Sequence, residues 1–292
     1  MATGGAAIDS MERKDIQLDN GDTFTLTTLS GRGYGIGIRK WREPIDTDHF
    51  IVKTVISKFD KENFLTPHFP IVIGEVYDTE KFSNVRNLRV LDCPIKFPGS
   101  NEYRVPHELD QFDDVIAKAA SHEHAINPNI DQFYAYLTVD QKYVEADNFQ
   151  RKPGCHVDGF QGLRINPKRL INRSYIAYDR VPTVFYGQSF ETEHLDEAKH
   201  DFFLSFDEQA KEEAEMRFDP YSIILMNAYS VHRSDKVTYP IYRTFFRLSY
   251  DVNRFDRFGN THNPMFDYNW DMVTRNTKDK LSFKRRYNIN AF

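Results

Sequence analysis

Cysteine is scarce in this sequence, with two residues, Cys93 and Cys155, in a chain of 292. Two cysteines could form one bridge, but they cannot make the disulfide framework of a small secreted protein. Long apolar runs are also missing, and no stretch of about 18 apolar residues predicts a transmembrane helix. The net charge of -5 gives no reason to expect binding to nucleic acid or membranes. We therefore expect a soluble, cytoplasmic protein.

Signals for targeting, phosphate binding and repetition are missing as well. The first residues contain too much glycine and charge for the apolar core of a signal peptide. The segment GRGYGIG at 31–37 lacks the Lys-Ser/Thr ending of a phosphate loop, so a hairpin or bulge is the better interpretation. No internal repeat is visible. We interpret residues 1–20 as a flexible N-terminal leader and residues 21–292 as a single domain.

Aromatic residues are abundant, with 24 Phe and 16 Tyr. Rings and β-branched side chains favour half-buried pleated surfaces, so a β-rich core is expected. Apolar stretches separated by turn residues predict strands at 23–28, 34–39, 50–57, 132–139, 175–179, 183–186, 221–228 and 241–251, and two further apolar stretches span 69–77 and 86–96. Apolar residues at helical spacing predict helices at 107–121 and 205–216. Many strands with little helix between them favour a mainly β fold, an antiparallel sandwich or barrel with flanking helices.

The residues that carry chemistry lie in the segment RKPGCHVDGF, which contains His156, Val157 and Asp158. In an extended strand, residues i and i+2 point to the same face, so His156 and Asp158 can reach one metal ion. Cys155 would point to the opposite face and is not counted as a ligand. Imidazole and carboxylate together suit Fe(II), Zn(II) or Mn(II). An H-x-D triplet alone occurs by chance in many chains, so further residues are needed to support a metal site.

A second histidine is expected from another strand, and His232 is the candidate because it ends the strongly apolar strand YSIILMNAYSVH. Two histidines and one carboxylate on one face of an octahedron leave three positions open, which is the arrangement of non-haem iron sites that activate oxygen. Arg243 and Arg247 follow in IYRTFFRLSYD, four residues apart and therefore on one face of a strand. A buried arginine is costly without an anion, so one of the two is expected to bind a carboxylate.

The order His156-x-Asp158, then His232, then an arginine about ten residues later resembles the 2-oxoglutarate/Fe(II)-dependent dioxygenase superfamily. The resemblance covers roughly residues 130–251. It implies a double-stranded β-helix, a jelly-roll barrel like that of the cupins, with the metal-binding core at about 130–251. It also implies an oxidoreductase that uses Fe(II) and 2-oxoglutarate and releases succinate and CO2. Because an acid stands at Asp158 rather than a small residue, hydroxylation is expected rather than halogenation.

The resemblance also assigns roles to individual residues. The iron would be held by His156, Asp158 and His232. Arg243 would bind the far carboxylate of 2-oxoglutarate, with Arg247 as its rival. Tyr134 and Tyr136 share one face of the strand at 132–139, where a tyrosine could hydrogen-bond the co-substrate, although packing in the barrel core explains them equally well. Asn227, among apolar residues, needs partners that either the co-substrate or a neighbouring strand could supply.

Other interpretations stay open. The barrel could belong to a cupin-type metal-dependent isomerase, to a dioxygenase that needs no 2-oxoglutarate, or to a binding module without turnover. His156 and Asp158 could form a surface hydrogen-bonded pair, and His232 could be a core or capping histidine. The segments expected to choose the substrate carry no motif. A small-molecule substrate is expected first, and a peptide or nucleotide second.

Overall fold

Strands account for most of the regular structure in the computed structural model, which describes residues 13–17, 23–29, 32–38, 40–53, 59–158, 172–196 and 199–273. In these ranges the strands are β1 (Arg13–Gln17), β2 (Thr23–Leu29), β3 (Gly33–Gly37), β4 (Ile71–Glu75), β5 (Arg89–Lys96), β6 (Tyr103–Pro106), β7 (Tyr134–Val144), β8 (Arg173–Tyr178), β9 (Thr183–Tyr186), β10 (Glu215–Met216), β11 (Ser222–Asn227), β12 (His232–Ser234) and β13 (Ile241–Asp251).

Helices are few and mostly short. They are α1 (Phe50–Lys53), α2 (Thr79–Ser83), α3 (Asp113–Ile126) and α4 (Phe202–Gln209), with 3-10 helices at Lys61–Leu65, His107–Phe112, Ile130–Gln132 and Glu212–Ala214. The prediction of a mainly β fold with flanking helices is confirmed. Among the residues described, no helix combines the length and apolarity needed to span a bilayer.

The largest sheet has six strands in the order β4-β11-β8-β13-β7-β5, and its pairs are antiparallel. Its inner strand β13 runs for 11 residues and pairs with β7 on one side and β8 on the other. A three-stranded sheet, β10-β9-β12, and a four-stranded sheet, β1-β2-β3-β6, accompany it.

The six-stranded sheet is buried on both faces, as strand β8 illustrates. Tyr175 and Ala177 belong to a large apolar cluster that also contains residues of α3. Ile176 and Tyr178 point the other way, into a smaller cluster with Phe185 of β9. Because β9 belongs to the three-stranded sheet, the two sheets pack against each other through this second cluster.

The prediction of a strand at 50–57 is wrong for its first four residues, which form α1. The carboxylate of Asp46 accepts hydrogen bonds from the backbone amides of Asp48 and His49, at 3.0 and 3.2 Å, and so starts a helical turn. Ile51 and Val52 of α1 are buried in this form, so local capping and packing override the strand preference of these β-branched side chains. Residues 54–57 lie outside the described ranges.

The β-structure extends beyond the core expected at 130–251. Strands β4 and β5 come from the first hundred residues, yet they pair with β11 and β7 in the six-stranded sheet. Residues 13–17, within the leader expected at 1–20, form β1 and pair with β2. The rest of that leader lies outside the described residues. Strand pairing satisfies the backbone N–H and C=O groups that an edge strand would leave unpaired. This favours the addition of such segments to a sheet.

The helix predicted at 107–121 begins as a 3-10 helix, continues as α3 and ends at Ile126. Most of α3 is buried, charged residues included. Glu123 accepts hydrogen bonds from the Arg173 guanidinium at 2.8–3.0 Å, from Tyr175 at 2.9 Å and from Asn127 at 2.8 Å. A buried carboxylate is tolerated when it is paired and hydrogen-bonded in this way.

Asp113, the first residue of α3, has a side chain that is 2% exposed. It accepts a hydrogen bond from the Tyr34 hydroxyl at 2.5 Å and lies 3.3 Å from the Lys81 ammonium. Burial raises the pKa of Asp113 from 3.8 to about 7, and these two contacts offset only part of that effect. Because the pKa is higher in the folded protein, the stability contributed by the neutral carboxyl is complete at acidic pH. It is lost as the pH rises through about 7.

We expect Asp113→Asn to remove this pH dependence, since an amide stays neutral. Between about pH 4 and about pH 7, the free energy of unfolding of the variant should rise relative to wild type by about 1–4 kcal/mol. Urea denaturation across this range measures the difference. Glu102→Gln, which removes a surface ion pair with Arg104, is the control and should show no such trend. Parallel pH profiles for Asp113→Asn and wild type would contradict the shift.

Candidate metal centre

His156 and His232 lie opposite each other in an antiparallel β-bridge. The backbone amide of each donates to the carbonyl oxygen of the other, both at 2.9 Å. The centroids of the two imidazole rings are 4.5 Å apart. His232 begins β12, whose pairing with β9 fixes it to the three-stranded sheet. Two histidines far apart in sequence are therefore brought side by side by a pair of backbone hydrogen bonds.

The backbone orients both imidazoles in the same manner. Nδ1 of His156 contacts the carbonyl oxygen of Gly154 at 2.7 Å, and Nδ1 of His232 contacts that of Ser230 at 2.9 Å. A carbonyl oxygen only accepts, so Nδ1 is the donor and Nε2 keeps its lone pair. Burial lowers the pKa of both imidazoles, which favours the neutral form that binds metals. Both Nε2 atoms are thus prepared as ligands.

Asp158 completes a group of three potential ligands. One ligand atom from each of His156, Asp158 and His232 lies within 4.8 Å of the others. Val157 and Cys155 belong instead to an apolar cluster on the other side of the segment, as strand alternation requires. Cys155 and Cys93 are both free and buried.

Arg247 of β13 lies between two carboxylates. Its guanidinium donates to Asp158 at 2.6 Å and to Asp92 of β5 at 3.0 Å, and Asp92 also accepts from the Thr138 hydroxyl at 3.1 Å. Burial alone would raise the pKa of Asp158, but the Arg247 guanidinium holds it well below its usual range. The carboxylate is therefore ionised, as a metal ligand must be.

Asp92 reaches Arg247 from an unusual backbone conformation. Its φ angle is 44°, and it sits where the register of β5 against β7 shifts between Val90 and Cys93. A positive φ is uncommon outside glycine, although aspartate tolerates it better than most residues. The bulge turns the carboxylate toward Arg247, and no feature of the sequence predicts it.

Arg243, the arginine favoured on spacing for the far carboxylate, does not line the pocket at the three ligands. Its Nε donates to the carbonyl oxygens of Arg180 and Val181 at 2.7 and 2.8 Å, and its Nη1 donates to the side-chain oxygen of Gln150. Neutral protein oxygens therefore satisfy this buried cation without a ligand. Phe245 lies between Arg243 and the metal ligands on the same face of β13.

Tyr134 and Tyr136 are not brought to the pocket lining either. The ring of Tyr136 stacks on Phe255 at 3.9 Å, and its hydroxyl donates to the carbonyl oxygen of Asn253 at 2.9 Å. Tyr134 packs against Tyr136 and Trp270. Both tyrosines serve the packing of residues 253–270 on the sheet, which is the alternative that strand position left open.

A pocket of about 350 Å³, counting its open mouth, is lined by the three ligands and Arg247. The remaining lining is partly apolar and partly polar, and consists of Arg151, Ile176, Thr183, Met226, Ser234 and Phe245.

Arg151 is the pocket residue that the sequence analysis missed. Its guanidinium lies 4.5 Å above the ring of Phe245. Within the described part of the chain, no carboxylate forms an ion pair with it, in contrast to Arg247. A cation that lines a pocket without an acidic partner attracts an anionic ligand. The signal that could have found it is the basic pair Arg151-Lys152, which stands three residues before the His156-Val157-Asp158 triplet.

No family model matches the chain, and no curated protein is similar to it. Among solved structures, an oxidoreductase of the 2OG-Fe(II) oxygenase family from Burkholderia pseudomallei is similar at a TM-score of 0.31 and 12% sequence identity. The match covers 55% of this chain and 66% of that protein. A likeness this low supports no inference about activity.

The two ion pairs of Arg247 can be tested by Arg247→Met, which keeps much of the side-chain volume and removes the charge. We expect the free energy of unfolding of the metal-free protein to fall by about 3–5 kcal/mol, because two buried carboxylates lose their counter-charge. Adding Mn(II) should recover part of the loss, since the ion would replace Arg247 as the counter-charge of Asp158. Urea denaturation with and without Mn(II) measures both effects.

Arg89→Met is the matched control. Arg89 also pairs with an aspartate, Asp140, at 3.7 Å, but its side chain is 70% exposed. Its loss should change stability by less than about 1 kcal/mol. An effect of Arg247→Met no larger than that of Arg89→Met would contradict a supporting role for these ion pairs.

Proposed function

We propose that this protein is an Fe(II)- and 2-oxoglutarate-dependent dioxygenase that hydroxylates a small molecule. The observation that carries the proposal is the meeting of His156, Asp158 and His232 in a pocket that is also lined by Arg151, with which no carboxylate of the described residues forms an ion pair. The three potential ligands account for a metal ion, and the guanidinium of Arg151 accounts for an anionic co-substrate beside it.

The donor set fits Fe(II). Two neutral imidazole nitrogens and one ionised carboxylate are the protein ligands of the open non-haem iron sites. Both Nε2 atoms are directed by Nδ1 contacts to backbone carbonyls, the usual outer support of metal-binding histidines. With one oxygen of Asp158 committed to Arg247, the other is left for the metal.

The charges in the pocket fit a dicarboxylate. The lining has one carboxylate, Asp158, against two guanidinium groups, those of Arg151 and Arg247. Asp92, which pairs with Arg247, balances one of these guanidinium groups, so a bound divalent metal would leave a net charge of about +2, which a doubly charged anion neutralises. Arg247 already serves two acids, which leaves Arg151 as the residue we propose for the far carboxylate of 2-oxoglutarate, in place of Arg243. A guanidinium can hold a carboxylate in a bidentate manner.

We propose further that the six-stranded and three-stranded sheets are the two walls of a double-stranded β-helix. The shared cluster of Ile176, Met226 and Phe185 between them supports this arrangement. The pocket opens where β9, β12 and β13 contribute side chains, so the site lies between the walls.

Fe(II) and 2-oxoglutarate, when bound with oxygen, supply the oxidising chemistry, which releases succinate and CO2 as the substrate is hydroxylated. The protein's own part is to bind and orient. His156, Asp158 and His232 would hold the metal, and Arg151 would fix the co-substrate. The apolar side chains of Ile176, Met226 and Phe245 would limit the water in the pocket.

The first test adds 2-oxoglutarate to the Fe(II)-loaded protein without oxygen. We expect a weak visible charge-transfer absorption, because a keto acid chelated to Fe(II) absorbs there. Asp158→Ala should lose both iron binding and the absorption while the far-ultraviolet circular dichroism stays unchanged. Iron binding by the wild type without any absorption would point instead to a metal enzyme that does not use 2-oxoglutarate.

The second test compares Arg151→Met with Arg243→Met. We expect Arg151→Met to raise the 2-oxoglutarate concentration at half-saturation by about 10- to 100-fold, the value of a charge-assisted hydrogen bond. Arg243→Met should lower stability instead and leave this concentration unchanged, because its partners are protein oxygens. Titration of the visible absorption measures the requirement. The reverse ranking would return the carboxylate site to Arg243.

A further inference from the structure

His68 is a buried histidine in the N-terminal half of the chain, with 4% of its surface exposed. Its Nε2 contacts the carbonyl oxygen of Asn63 at 2.8 Å, and its Nδ1 contacts the side-chain nitrogen of Asn227 at 3.0 Å. Its ring packs edge-on against Phe50 at 4.8 Å and lies 5.4 Å from Tyr229. Both ring nitrogens are therefore used, and the ring is held on two sides.

The partners of Asn227 determine the direction of these hydrogen bonds. The Asn227 side-chain oxygen accepts from the backbone amide of Tyr229 at 3.0 Å and from the Ser230 hydroxyl at 3.1 Å. A backbone amide only donates, so this atom is the oxygen, and the amide nitrogen faces His68. His68 therefore accepts at Nδ1 and donates from Nε2 to Asn63. Burial lowers the pKa of His68, in agreement with this neutral form.

Asn227 ends β11 and controls the turn that leads to His232. Its backbone amide donates to the Ser230 hydroxyl oxygen at 3.2 Å, so the side chains and backbone of the two residues form a closed set of hydrogen bonds. The carbonyl oxygen of Ser230 in turn accepts from Nδ1 of His232 at 2.9 Å. A second contact from the N-terminal half holds the same turn, where the Asp60 amide donates to the Tyr229 hydroxyl at 2.9 Å.

We infer that His68 is a positioning residue for the metal centre. It orients the Asn227 amide, and Asn227 shapes the turn that places the Ser230 carbonyl against Nδ1 of His232. That carbonyl keeps the proton on Nδ1 and the lone pair on Nε2. The inference rests on the metal-binding part of the proposed function. It gives the 59–68 segment a role in the site, although none of its residues lines the pocket.

The test replaces His68 with phenylalanine, which keeps the ring and its packing and removes both hydrogen bonds. We expect His68→Phe to weaken Co(II) binding about tenfold, at the low end of the 10- to 100-fold range for outer residues of metal sites. Calorimetric titration of the metal-free protein with Co(II) measures this. His68→Gln, whose amide can accept from Asn227 and donate to Asn63, should restore part of the affinity.

His122→Phe is the matched control. His122 is also buried, its Nδ1 contacts the Tyr175 hydroxyl at 2.9 Å, and its ring packs edge-on against Trp41 at 4.9 Å. It lies on α3, which packs on the other face of the six-stranded sheet. We expect His122→Phe to lower thermal stability without changing the affinity for Co(II). Equal affinity in His68→Phe and wild type would overturn the inference, as would equal losses in His68→Phe and His122→Phe.

A second measurement separates this inference from the proposed function. Nitrogen-15 correlation spectra of the metal-free protein report which ring nitrogen of His232 carries the proton. We expect Nδ1 in wild type and a mixture in His68→Phe, and an identical proton position in both would overturn the inference even if the wild type bound no metal. Failure of the wild type to bind Co(II), with the proton shift observed, would count against the proposed function alone.

If His68→Phe does not fold, Asn227→Ser takes its place. Serine can still accept from the Tyr229 amide and so keep the turn, but it has no side-chain amide to donate to His68. We expect the same loss of Co(II) affinity, and unchanged affinity would overturn the inference.

Discussion

The pairing of Arg247 with Asp158 and Asp92 joins the three parts of the chain that meet at the candidate site. Arg247 lies on the inner strand β13, Asp92 on β5 from the N-terminal half, and Asp158 directly after the bridge between the two histidines. A buried guanidinium costs several kcal/mol unless acids compensate it, and each of these acids is costly in turn without the guanidinium. The three groups therefore stabilise one another, and the fold holds an ionised carboxylate where a metal would need one.

The two histidines depend on a different constraint, which is backbone geometry. Each Nδ1 donates to the carbonyl oxygen two residues earlier in the chain, and the two residues exchange backbone hydrogen bonds. The bridge sets the imidazoles side by side, and the carbonyl oxygens of their own segments orient them. Around them, His68 and Asp92 supply support from the first hundred residues, a region in which no motif is visible. That region is part of the site, because His68 and Asp92 contact the residues that position the three potential ligands.

Arg151 and Arg243 are two cations near the candidate site that differ in their partners. Both lie close to Phe245, but Arg243 donates to protein oxygens on β8–β9 connecting residues and Gln150, whereas no described carboxylate pairs with Arg151. The protein oxygens that accept hydrogen bonds from Arg243 account for its burial without a bound anion. A cation that lines a pocket without a direct ion pair can bind an anionic ligand.

The sequence by itself determined the strand pattern and the ligand candidates. Alternation placed His156 and Asp158 on one face, the apolar stretch before His232 predicted β11, and the range 241–251 predicted β13 to the residue. These properties are local, because side-chain direction in a strand depends on neighbouring residues alone. Tertiary structure decided what spacing cannot encode. The β-bulge at Asp92 turned its carboxylate toward Arg247, and Arg151 came to the pocket from a segment with no strand pattern. Helix α1 replaced a predicted strand because Asp46 caps it. Contacts of this kind join residues that are distant in sequence, or decide by packing between two local conformations. A pattern along the chain therefore does not predict them.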